Sequence, residues 1–137
     1  MTPEMRAMLA AQTFGVAGAS RSPDKYGFLV FKALKRAGKT AYPINPSATE
    51  VDGDRCYPSL SALPRPPEVA VLIVPPAAGE AAVTECVALG IRQVWMQPGA
   101  ESEAAIAVCH ANGIAVVAGG PCLMVLLRTA KYQSDTF

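Results

Sequence analysis

Three times along this chain an amphipathic run stops at a glycine and an apolar, β-branched run starts at once: Ala37-Gly38-Lys39, Leu89-Gly90-Ile91 and Asn112-Gly113-Ile114. Glycine accepts the left-handed backbone that closes a helix, so each junction reads as helix, cap, strand. The strand candidates are residues 13–17, 40–44, 69–74, 93–96 and 114–117. They are short and mostly continuous rather than alternating, as strands covered on both faces are. Between them the spacing predicts helices over residues 28–37, with Val30, Phe31, Leu34 and Ala37 on one face, then 77–89 and 101–112. Each parallel crossover needs a covering helix, so strict alternation predicts an α/β fold: a doubly wound parallel sheet of about five strands in three layers.

Two stretches stand outside this alternation. Residues 1–12 have helical spacing, with Met5, Met8 and Leu9 on one side, and lack the apolar core of a signal peptide. Residues 47–67 carry Pro58, Pro64, Pro66 and Pro67 and read as an irregular connector, with Arg55-Cys56-Tyr57 as a short strand and one helical turn within 59–63. The apolar run 123–127 is expected to form a helix packed on the sheet or on a second subunit. At 137 residues the chain is the size of one domain, and residues 1–137 are taken as such.

A chain that is 51% apolar, 17% charged and carries a net charge of +1 is neither disordered nor built for a polyanion, which argues against nucleic acid. The longest apolar stretches, 69–78 and 114–118, are broken by proline or glycine and cannot span a bilayer, so a cytoplasmic protein is expected. Cys56, Cys86, Cys109 and Cys122 are scattered, without a CxxC pair or a histidine at ligand spacing, and read as buried reduced thiols.

In a doubly wound sheet the loops leaving the carboxyl ends of the strands gather at one edge with the helix N-termini, and ligands bind there. Four loops matter. In the first, Ala17-Gly18-Ala19-Ser20-Arg21 followed by Lys25, Gly18 lets backbone approach a ligand, and Ser20 adds a hydroxyl beside free amides near the helix start. Arg21 and Lys25 put positive charge where phosphates would lie. The spacing is not GxGxxG, and a turn that merely permits a tight bend is the structural alternative.

The second loop, Asn45-Pro46, has neither the acid that accepts from a dinucleotide's ribose hydroxyls nor the arginine that meets a 2′-phosphate. A neutral turn suits a ribose that is already phosphorylated, although Asn-Pro also marks plain turns. The third, Val74-Pro75-Pro76, offers an apolar ledge for a flat base, or simply a proline start to a helix. In the fourth, Gln97 could hydrogen-bond a ligand and Gly99 admits backbone, while Trp95 belongs in the core.

The blocks Val16-Ala17-Gly18-Ala19-Ser20-Arg21 with Pro23 and Lys25, Val30-Phe31-Lys32-Ala33-Leu34, Tyr42-Pro43-Ile44-Asn45-Pro46, Tyr57-Pro58-Ser59-Leu60 and Val94-Trp95-Met96-Gln97-Pro98-Gly99 resemble the small, stand-alone CoA-binding domain family. That family is similar to the N-terminal domain of the succinyl-CoA synthetase alpha subunit. The resemblance implies a Rossmann-like fold holding coenzyme A or an acyl-CoA by the Gly18 to Lys25 loop, Asn45-Pro46, Val74-Pro75-Pro76 and the Gln97 to Gly99 turn. The 3′-phosphate and pyrophosphate of that nucleotide would answer the missing ribose-binding acid and give Arg21 and Lys25 their use. The chain departs from the family around Pro121-Cys122-Leu123-Met124, which is apolar where a basic residue before the cysteine and polar ones after it are usual.

Catalytic machinery is not visible. The only histidine, His110, falls near the C-terminal end of a helix and so at the pole opposite the ligand edge, and no acid–base pair or triad can be assembled. Three functional classes stay open. A non-catalytic CoA-binding module, regulatory or cofactor-carrying, leads; a small NAD(P)-dependent oxidoreductase-like domain and an interaction protein with a vestigial nucleotide pocket follow. Cys122 follows Gly119-Gly120-Pro121 at the end of the last strand, where it could meet a cofactor thiol or serve as a packed cysteine. A homodimer through residues 123–127 or the N-terminal helix is expected.

Overall fold

The computed structural model describes residues 1–128; residues 129–137, part of the expected domain, lie outside the described residues. Five strands form one parallel sheet: β1 (Thr13–Ala17), β2 (Thr40–Ile44), β5 (Val69–Leu72), β6 (Gln93–Met96) and β7 (Ala115–Val117), in the order β2-β1-β5-β6-β7. Between β2 and β5 the chain forms a small antiparallel hairpin, β3 (Glu50–Val51) and β4 (Asp54–Arg55). The fold is Rossmann-like, with helices on both faces of the sheet.

Alternate residues of each strand serve opposite layers. Phe14, Val16, Val69, Val71, Trp95 and Val117 face a cluster completed by α1 (Pro3–Ala10), α2 (Tyr26–Arg36) and the helical residues 123–128. Ala70, Leu72, Val94 and Met96 face α3 (Pro76–Leu89) and α4 (Glu103–Ala111). Both faces are apolar, which is why the strands read as continuous runs in the sequence. Phe14 is fully buried, which stabilises the fold by about 1.5–3 kcal/mol, and Trp95 is fully buried as well, its Nε1–H without a partner among the described residues.

All three junction glycines have positive φ: Gly38 at 81°, Gly90 at 75° and Gly113 at 69°. Strand β5 stops at Leu72, two residues short of the apolar run. There Ile73 N–H makes its bond to the Ala17 carbonyl (2.9 Å) and the chain then turns into the proline ledge.

The connector is more ordered than its prolines suggest. Asp52 and Gly53, at φ 50° and 81°, make the tight turn of the β3–β4 hairpin. Lys32 and Lys35 on α2 both reach Asp52 at 2.9 Å, and Lys35 reaches Asp54 at 2.8 Å, so the hairpin is tied to the helix. Hydrogen bonds from Lys35, then Lys32, hold the Asp52 carboxyl below its ordinary range. Tyr57 bridges to Ile44 beside β2, and a short 3-10 turn, Leu60–Ala62, follows. The four cysteines are free; burial pushes the Cys86 thiol up to about 12 and raises Cys56 and Cys109 as well. Among the described residues no helix is long and apolar enough to cross a membrane.

Candidate functional site

The strand order reverses between β1 and β5, because the chain leaves β1 for β2 on one side and returns to β5 on the other. Loops at the carboxyl ends of these two strands diverge and leave a crevice, the usual ligand site of an open α/β sheet. The first loop starts where Gly18 N–H donates to the Ile44 carbonyl at 3.0 Å. Gly18 has φ 97°, and a methyl group there would run into the Ile73 carbonyl. Gly27, in the first turn of α2, is more tightly placed still, since its own Cβ would collide with the carbonyl of Gly18. The helix start is therefore pressed directly onto the loop, as the last glycine of a dinucleotide fingerprint permits.

Within the loop, Ser22 N–H donates to Ser20 Oγ (3.1 Å) and Lys25 N–H to the Ser22 carbonyl (3.0 Å). Lys25 is the N-cap of α2 and no side chain among the described residues caps that terminus; Phe28 and Leu29 N–H donate to the Lys25 carbonyl (both 3.1 Å), and Tyr26 and Gly27 N–H keep their donor capacity. Arg21 and Lys25 are exposed, and neither has an ion pair among the described residues. Positive charge, uncapped amides and a close-approaching backbone thus coincide at one corner.

Asn45 does something different. Its Nδ2 donates to the Ala19 carbonyl (2.8 Å), its Oδ1 accepts from Ser47 N–H (2.8 Å), and its own N–H donates to the Tyr57 carbonyl (2.9 Å). It is a strut that fixes the second loop against the first. Beside it a cavity of about 250 Å³ is walled by Ala17, Gly18, Pro46, Leu60, Val74 and Ala82. Glu85, also on this cavity, accepts from Ser61 N–H (3.1 Å) and Oγ (2.7 Å) and so fixes the connector's turn to α3. Across Val74 lies a second cavity of about 430 Å³, walled by Ile73, Pro75, Pro76, Pro98, Gly99 and Ala100. Gly99 N–H is occupied by the Glu101 carboxylate at 2.8 Å.

Gln97 lies beneath this rim, with 0% of its surface exposed. Its Oε1 accepts from Leu123 N–H (2.9 Å), and its Nε2 donates to the Tyr26 hydroxyl (3.2 Å) and to Cys122 Sγ (3.6 Å). Tyr26 in turn donates to Cys122 Sγ at 2.7 Å. Burial, then the Cys122 hydrogen bond, pushes the Tyr26 phenol above its ordinary range. The side chain that the sequence offered as a ligand donor is therefore engaged in joining three segments of the chain.

Of the residues singled out in the sequence, Ala17, Gly18, Ala19, Ser20, Arg21, Lys25, Asn45, Pro46, Val74, Pro75 and Gly99 all gather at the carboxyl edge, with Gln97 behind them. His110 sits in the last turn of α4, at the other pole. The sequence assigns no site role to Gly27 or Tyr26, and it offers Pro58 and Leu60 only within a block that carries the resemblance, not as a wall of the crevice. A glycine inside an otherwise apolar helical pattern was the signal for the first of these.

The match to the family described as CoA binding domain runs over residues 12–128. An ADP-forming acetate–CoA ligase II of Archaeoglobus fulgidus is 33% identical over 92 residues, 66% of this chain and 14% of that protein. The chain spans between 12% and 18% of the curated relatives it matches. Among solved structures, a conserved hypothetical protein from Pyrococcus furiosus is 37% identical with TM-score 0.78, over 83% of this chain and 97% of that one. A protein from Thermus thermophilus is 31% identical with TM-score 0.85, over 95% of this chain and 98% of that one.

Proposed function

The chain belongs to the CoA binding domain family, and from that premise we propose that it binds coenzyme A or an acyl-CoA at the β1/β5 crevice without transforming it, as a regulatory or carrier module. One observation carries the reading: among the described residues Arg21 and Lys25 have no ion pair and stand beside a start of α2 that no side chain caps, with a backbone brought close by Gly18 and Gly27. A donor set of cations and main-chain amides matches an anion with several phosphates, and each charge-assisted hydrogen bond gains strength from the helix start. The apolar walls on either side of Val74 suit a flat base and a long neutral arm.

The second loop supports CoA over a nicotinamide dinucleotide. Asn45 spends its side chain on Ala19 and Ser47, so nothing there offers the carboxylate that a free ribose diol needs. The adenosine of CoA carries its own 3′-phosphate and makes no such demand.

Calorimetric titration with CoA, dephospho-CoA, NAD and a panel of acyl-CoAs tests the proposal. CoA binding at least about tenfold tighter than dephospho-CoA is expected, since one phosphate contacting a cation contributes on the order of 1.5 kcal/mol. Tighter binding of NAD than of CoA would overturn it in favour of the oxidoreductase-like reading. Absence of binding to any of the nucleotides would leave an interaction protein. Turnover of an acyl-CoA to free CoA by the purified chain would overturn the non-catalytic part alone.

A further inference from the structure

A third cavity, of about 440 Å³, lies away from the ligand edge, between α2 and the helical residues 123–128. Its floor is apolar: Leu29, Ala33, Met124 and Leu127. Leu29 is 44% exposed, a large side chain left in water on a helix whose opposite face is buried. Leu29, Ala33 and Ala37 recur every fourth residue, so they form one ridge along α2, and the two alanines leave a trough beyond the leucine. Beside that ridge run Lys32 and Arg36, also four apart, and Arg128 stands on the facing bank. Lys32 shares Asp52 with Lys35, whereas Arg36 and Arg128 have no ion pair among the described residues.

We propose that this groove docks an amphipathic helix of a partner protein whose apolar stripe is flanked by acidic residues. The longer wall, α2, is a helix whose interior backbone is hydrogen-bonded within itself, so an added strand would find no row of free donors along it, and recognition there comes from side chains. A ridge of four-residue spacing accepts the matching row of another helix. Cations on both banks call for acids on both flanks of the incoming stripe. A second copy of this chain is the poorer occupant, because a two-fold contact through the groove would set the cationic banks against one another.

The test uses two designed peptides of equal length, one with a leucine stripe flanked by glutamate and the other with the same stripe flanked by lysine. Binding to the full chain is followed by fluorescence anisotropy and by amide chemical shifts. The glutamate peptide is expected to bind, to shift residues of α2 and 123–128, and to weaken as salt is raised. Leu29→Asp, at an exposed position, should abolish binding, and Arg36→Glu with Arg128→Glu should lower affinity for the glutamate peptide by about tenfold or more while raising that for the lysine peptide. Equal binding of both peptides, shifts that map elsewhere, or no binding of either would overturn the proposal. So would light scattering that shows a dimer which Leu29→Asp dissociates, since the groove would then belong to a second copy.

Discussion

Two parts of the carboxyl edge use the same kinds of atoms to opposite ends. At the β1 corner, the Arg21 and Lys25 side chains and the first two amides of α2 are left unspent among the described residues, and Gly18 and Gly27 bring backbone close. Behind the β6 corner, the buried Gln97 and Leu123 N–H and the half-buried Tyr26 and Cys122 consume one another's hydrogen-bonding capacity. The comparison teaches where to look for a ligand. Polar groups that are buried and satisfied specify the arrangement of the chain, while exposed ones left without partners on rigid backbone are available to something else.

The contrast is sharpest under substitution. Gly27→Ala puts a methyl group into the Gly18 carbonyl and should cost about 3 kcal/mol of stability, seen in urea unfolding, together with loss of CoA binding. Gln97→Leu keeps the volume but strands Leu123 N–H and should cost about 2 kcal/mol, with faster hydrogen exchange at Leu123. An effect on CoA affinity without an effect on stability would break the distinction between the two corners. Arg21→Ala and Lys25→Ala should do the reverse of Gln97→Leu, each lowering CoA affinity about tenfold at low salt with stability changed by less than about 0.5 kcal/mol.

A smaller effect comes from the hairpin tether. The carboxyl of Asp52 is held below its unfolded value by Lys35 and Lys32, so the tether contributes fully above the ordinary carboxylate range and is lost as pH falls through the depressed folded value. Asp52→Asn should flatten that acid limb of the stability profile and leave the protein near neutral pH only slightly altered. An unchanged acid limb would mean that the tether is worth nothing in solution.

Much of this is legible in the amino-acid sequence. The strands over residues 13–17, 40–44 and 93–96 were bounded by the sequence as they are in the fold, because glycine caps and β-branched runs are local signals. Within the connector the sequence predicts a strand at residues 55–57, whereas the fold has the β3–β4 hairpin. Its signal was present in Asp52-Gly53, but the strands flanking that turn have only two residues each, too few to show a pattern. Ala37 was assigned to the buried face of α2 and is exposed, since it falls at the cap, beyond the last turn held against the sheet.

At the site, the sequence named the residues that gather at the edge but could not apportion their hydrogen bonds. Gln97 reads as a hydrogen-bonding group for a ligand and Asn45 as part of a neutral turn beside one, because an amide in a loop after a strand looks free until its neighbours are known. Their partners, Leu123 and Tyr26 for one, Ala19 and Ser47 for the other, come largely from distant parts of the chain.

The contact between Gly27 and the Gly18 carbonyl also bears on mechanics. An α-helix is stiff along its axis, and α2, which runs on from Gly27 to Arg36, reaches roughly 14 Å from that contact. A joint too tight for a single methyl group has no play in it, so whatever displaces the loop must carry the whole rod along, and its far end travels with it.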